Sequence, residues 1–144
     1  MRSAWVKLSL ALAVAVMASG SPAAAPAADN TAAAPAFTSI GPLTFGSDAV
    51  LFAADVQAAS IYAVDLGSAA TGGAAGTKGI PAVDQQIAAL LGSDVREIAV
   101  TDLAVHAKTR NAFISVMRGQ GANAKPVLLR ADGAGKLTIV DLSK

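Results

Sequence analysis

A chain of 144 residues is long enough for one domain, and 53% hydrophobic against 15% charged residues excludes a disordered polar tail. There is no cysteine, and His106 is the single histidine, which excludes a disulfide framework, a thiolate metal site and a zinc site built on several imidazoles. The net charge of +1 becomes −1 once Arg2 and Lys7 are assigned to a leader, and that balance argues against a nucleic-acid binder.

Residues 1–27 read as a secretory signal peptide. Arg2 and Lys7 supply the positive end, Leu8 to Ala18 supplies an apolar core broken only by Ser9, and Ala25-Pro-Ala27 offers an A-x-A cleavage site. The apolar run is shorter than the roughly 20 residues of a spanning helix. Export with cleavage is therefore expected, to the periplasm or beyond the cell, with no membrane span left behind. Residues 28–38 follow as a flexible linker of small residues.

Residues 39–144 read as a repeated β region. Strands are expected at Leu43–Phe45, Val50–Ala54, Ser60–Leu66, Arg96–His106 with an interruption at Asp102, Ala112–Met117, Pro126–Arg130 and Lys136–Leu142. Each is short, rich in Val, Ile, Leu or Phe, and bounded by Gly, Asp, Asn or Ser. Leu43 and Leu103 begin equivalent units 60 residues apart. Ile61-Tyr-Ala-Val-Asp-Leu66 also resembles Leu137-Thr-Ile-Val-Asp-Leu142, at a different offset, so the repeat carries insertions. Gly67 to Gly79 is one of them, a flexible loop by composition. A short helix follows, with Pro81 at its start and Asp84 in its first turn. Val83, Ile87, Leu90 and Leu91 form its apolar stripe, and Gly92 stops it. Asp132-Gly-Ala-Gly135 closes the last hairpin.

Four-stranded antiparallel units in series predict an all-β fold: a partial β-propeller of about two blades with one short inserted helix. The residues after the leader make roughly two to three blades at about 40–50 residues each, fewer than the four a closed ring needs. The region is thus expected to be an incomplete propeller, a fragment of a longer frame. If the chain is complete, self-association is expected instead.

Gly41-Pro-Leu-Thr-Phe-Gly-Ser-Asp-Ala-Val-Leu-Phe-Ala-Ala-Asp55, followed by Ile61-Tyr-Ala-Val-Asp65, resembles the first blade of exported bacterial propellers of the NHL and gluconolactonase-like (SMP-30-like) kind. Thr101-Asp-Leu-Ala-Val-His-Ala-Lys-Thr-Arg-Asn-Ala-Phe-Ile-Ser115 looks like the next blade. The run from Ile40 to Lys144 is similar to the N-terminal part of large exported bacterial proteins with this repeat. Ala49 and Arg110 stand where those blades usually have glycine, and Ala107 where they usually have proline. The lactonases place a metal-binding glutamate near the start of the first blade, and Ser39 to Phe45 contains none. Nothing catalytic, metal-binding or cofactor-binding carries over residue by residue.

The remaining motifs weigh towards structural roles. Gly119-Gln-Gly-Ala-Asn-Ala124 fits a dinucleotide fingerprint, but Pro126 and a β-run follow where a helix must open, so it reads as a connecting loop. Gly72 to Lys78 and the segment around Gly135-Lys136 fail the phosphate-loop pattern. His106 lacks an accompanying nucleophile motif and reads as a surface turn residue. Asp55, Asp65, Asp102, Asp132 and Asp141 each read as accepting hydrogen bonds in their own turn. Residues 28–102 carry two basic and eight acidic side chains, and residues 103–144 seven basic and two acidic. Lys108, Arg110, Arg118, Lys125 and Arg130 are therefore candidates for an anion-binding surface, or for the charge match between neighbouring units.

The function expected from these residues is an exported binding or scaffold module with an unknown ligand or protein partner, and no catalytic residue is assigned. The alternatives are a fragment of a metal-dependent lactonase-like hydrolase whose catalytic residues lie elsewhere, and a cell-surface structural repeat. Fold analogy serves all three equally.

Overall fold

The computed structural model describes residues 36–47 and 49–142. The leader and the linker up to residue 35 lie outside them, as do Asp48 and the last two residues.

The described chain is mainly antiparallel β, arranged as two open sheets. The first is a meander of β1 (Leu43–Phe45), β2 (Val50–Asp55) and β3 (Ser60–Asp65). The second is a meander of β4 (Ile98–Val105), β5 (Ala112–Arg118), β6 (Lys125–Ala131) and β7 (Leu137–Val140). All seven expected strands form. The first unit has three strands rather than four, because after β3 the chain turns into a short helix, α1 (Ser68–Thr71), instead of a hairpin. Two open sheets are not a closed ring.

Strand alternation sets the layers. In β2, Leu51 and Ala53 are buried while Phe52 between them faces out. In β5 burial is continuous from Phe113 to Val116, as in a strand covered on both faces, with Ser115 the one polar side chain in the run. Its Phe113 joins Leu43, Leu51, Ala53, Val64, Leu128 and Val140 in a core between the two sheets. Phe45 meets Phe113 edge-on at 5.4 Å, a favourable geometry for two rings. On the opposite side, Ile114 and Val116 join Leu129 and Ala131 beneath Ile87 and Leu91 of α2 (Val83–Leu91).

The helix thus covers a sheet face. Its buried stripe is Ile87, Ala88 and Leu91, whereas Val83 and Leu90 are 37% and 40% exposed on its flanks. Ile87 and Leu91, one helical turn apart, are the side chains of this stripe that reach the sheet cluster. Gly92 ends the helix at φ +60, its N–H reaching back to the carbonyls of Ala88 and Ala89.

The sheets meet along their first strands, with β1 beside β4. Between Val100 and Asp102 the β4 register shifts, and the extra residue is Thr101. This bulge re-aims two side chains at the incoming chain. Asp102 Oδ2 accepts from the Leu43 N–H at 2.7 Å, and Thr101 Oγ1 donates to the Ile40 carbonyl at 2.8 Å. Ser115, fully buried, donates to the Gly41 carbonyl at 2.9 Å. Asp102 therefore ties sheet to sheet rather than serving its own turn, a correction to the sequence expectation that follows from the bulge.

Candidate functional site: a cationic groove beside the last hairpin

Two buried carboxylates organise the hairpin ends. Asp55, closing β2, accepts from the Thr38 N–H at 2.6 Å, the Ser39 hydroxyl at 2.6 Å and the Ala58 N–H at 3.0 Å. Burial alone would push its acidity down. The Ser39 hydroxyl and the N–H groups of Ala58, Thr38 and Ser39 together outweigh that, holding its pKa well below the ordinary carboxylate range.

Asp132, closing β6, works only through backbone. Its Oδ1 accepts from Ala134 and Lys136 at 3.0 and 2.9 Å, and its Oδ2 from Ala74 at 3.1 Å. The Lys136 and Ala74 N–H groups lower its pKa most, burial opposes them, and the Ala134 N–H and the Arg130 charge add to the lowering.

The Ala74 bond clamps the glycine-rich segment onto the last hairpin. The Gly133 N–H donates to the Ala74 carbonyl at 2.9 Å, and the Lys78 N–H donates to the Gly133 carbonyl at 3.0 Å. A Cβ at Gly133 would collide with the backbone of Ala75 and Gly76, so this approach needs glycine on both sides. Further back, buried Asn111 donates from Nδ2 to the carbonyls of Ala70 and Gly72, at 3.1 and 2.8 Å. The expectation of a flexible loop over Gly67 to Gly79 is thus corrected. Only the small side chains of Ala69 and Ala70 pack into the core from this stretch, and most of its anchors are backbone groups.

A groove of about 290 Å³ opens beside this clamp. Its apolar lining comes from Ile80, Val105, Ala112 and Ala131, and Thr77, Lys78, Arg110 and Asp132 add polar groups. Arg110 sits in the turn between β4 and β5 at φ +64, the left-handed region that side chains avoid. The turn holds it there: the Arg110 N–H donates to the His106 carbonyl at 2.9 Å, and the His106 N–H donates to the Asn111 carbonyl at 2.9 Å.

His106 itself is not a surface residue, which corrects the sequence expectation. It is 4% exposed, packs edge-on against Phe45 at 5.1 Å, and its Nδ1 lies 2.8 Å from Thr109 Oγ1. Its place at a strand end is as expected, but β1 crosses over that end, and sequence position alone does not show this.

The five cationic candidates do not share one surface. Lys108 and Arg110 stand on the β4–β5 turn, and Arg130 faces Phe113 across the strands near the same end. Arg118 and Lys125 pair with each other at the opposite end of β5, roughly 20 Å away by strand rise. There they line a separate cavity of about 260 Å³ with Glu97 and Asn123. Arg130 is half-buried, its Nη1 donating to the Ala69 carbonyl at 3.2 Å, which makes it a structural tie to α1. Of the five, only Arg110 lines the groove. Its companion Lys78 is not among the sequence candidates because it lies in the expected flexible loop of Gly67 to Gly79; the signal for it is glycine in both Gly72–Gly76 and Gly133–Gly135, which permits two backbones to meet.

Among the described residues, no three His, Cys, Asp or Glu side chains gather as a metal site, and no helix is long and apolar enough to cross a membrane. No known protein family, curated protein or solved structure matches this chain.

Proposed function

We propose that the chain forms the opening sheets of a propeller-type module, exported from the cytoplasm, that binds a ligand or partner rather than catalysing a reaction. The observation that carries this reading is the stacking of two consecutive antiparallel meanders face to face, with their first strands β1 and β4 side by side. Successive blades around a channel are related in this way. The bulge at Thr101 and the Asp102 bond to Leu43 tie the two sheets together along this seam, which supports the reading.

The outer face of the first sheet supports the same reading. Pro42, Thr44, Phe52, Ala54 and Ile61 line an apolar hollow of about 410 Å³ there, with Phe52 38% and Ile61 74% exposed. A blade face has this composition; in a longer chain a further blade would cover it, and for these 144 residues by themselves a second copy of the chain is the partner we assign to it. Sedimentation analysis tests the assignment. The protein is expected to self-associate in a concentration-dependent way, and Ile61→Lys is expected to leave it monomeric and folded. A monomer at every concentration, or an Ile61→Lys variant that associates as before, defeats the reading.

A further inference from the structure

We propose that the groove beside the last hairpin binds a small organic carboxylate with an apolar body. The proposal rests on reading the chain as a binding module, but not on how its sheets are closed. Three observations carry it.

The first is charge. Lys78 and Arg110 line the groove, and Asp132 is the one acid among the lining residues. Both Asp132 oxygens are already taken by the N–H groups of Ala74, Ala134 and Lys136. Those bonds hold Asp132 ionised and occupy its oxygens, so it is not free to pair with the cations, and the lining carries two positive charges against one negative, a net excess that favours an anion from outside.

The second is preorganisation. The Lys78 backbone is fixed by its bond to the Gly133 carbonyl. Arg110 is held at φ +64, where glycine would sit without strain and a side chain does not. A strained residue whose side chain lines a groove is a reason to ask what that side chain does. Its planar guanidinium matches a carboxylate through two parallel hydrogen bonds.

The third is the lining itself. Ile80, Val105, Ala112 and Ala131 offer carbon, and Val105 is 48% exposed despite lying in a strand. An inorganic anion would use the cations and leave this surface wet. An anion with an aliphatic or aromatic body uses both. The volume of about 290 Å³ lies at the lower end of small-molecule sites, so the ligand is small.

Amide NMR titrations with phenylpropanoate, phenylpropanol and inorganic phosphate test this on the purified chain and on Arg110→Gly. Phenylpropanoate is expected to give saturable shifts at Lys78, Arg110, Ala112 and Ala131, with the alcohol and phosphate each at least about tenfold weaker. Arg110→Gly removes the cation and relieves the backbone, so its melting temperature is expected to hold or rise while phenylpropanoate affinity falls about tenfold or more. Lys78→Gln is expected to weaken binding without altering the fold. Phosphate binding as tightly as phenylpropanoate, unchanged affinity in Arg110→Gly, or no saturable shift at these residues each overturns the proposal. Such a failure with self-association intact removes the groove alone, whereas loss of self-association with carboxylate binding intact removes the assembly alone.

Discussion

The two sheets are built from the same meander, yet they differ in what covers them. The second is packed between the first sheet and α2, so β5 buries Phe113 and Ser115 on one face and Ile114 and Val116 on the other. The first has a partner on one face only, and its other face shows Phe52 and Ile61 to solvent. What separates them is the segment between β3 and β4. It supplies a helix to the second sheet and no fourth strand to the first. A repeated strand pattern therefore fixes the meander, while the insertion decides which sheet is finished.

The layer common to both sheets gives the largest expected effect. Phe113 is fully buried between them, so Phe113→Ala is expected to cost about 3–5 kcal/mol in urea unfolding and to loosen both sheets together. Amide exchange in β2 and β6 should rise by the same free energy. Separate responses would show that the sheets are not one cooperative unit. Next comes the layer that only the second sheet has. Ile87→Ala empties a buried site under α2 and is expected to cost about 2–5 kcal/mol, with β2 and β3 less affected than β5 and β6.

The hairpin carboxylates sharpen the comparison through pH. Asp55 serves the first sheet and Asp132 the second, and both have folded pKa values held below the ordinary value. The unfolded chain then binds protons first as pH falls. Their stabilisation is fully present above roughly pH 5 and is lost as pH drops through about 4 towards the lower folded values. Asp55→Asn and Asp132→Asn should each flatten the acid limb of the urea midpoint against pH. They should also free different segments. Asp55→Asn should raise amide exchange at Thr38 and Ala58, and Asp132→Asn at Ala74 and Lys136. An acid limb unchanged in both variants would remove these bonds as its cause.

The strands were legible because burial on a sheet imposes its own alphabet. Val50 to Ala54 and Ala112 to Met117 are short runs rich in Val, Ile, Leu and Phe, the second broken only by Ser115, and each is bounded by turn-forming residues. Even the interruption near Asp102 was visible, since an acid in an apolar strand must find donors. The layout of the groove was not. It depends on Gly76 lying against Gly133, on Asn111 reaching the carbonyls of Ala70 and Gly72, and on Arg110 occupying a conformation usual for glycine. These are contacts of backbone with distant residues, and they leave no periodic trace. His106 was misplaced for a related reason, because β1 comes to cover it from about 60 residues away in sequence.

The smallest expected effect lies on the bare face of the first sheet, and it separates two explanations of that face. Ile61 is 74% exposed, so Ile61→Ser removes little buried surface from a single chain. In dilute protein its unfolding free energy should change by no more than about 0.5 kcal/mol. A face that is covered by a second copy behaves differently as concentration rises, because association stabilises the folded state by mass action. The wild-type melting temperature should then climb with protein concentration, and that of Ile61→Ser should climb less. Parallel curves for the two proteins would mean that Ile61 faces only water, and that the first sheet is stable with one side uncovered.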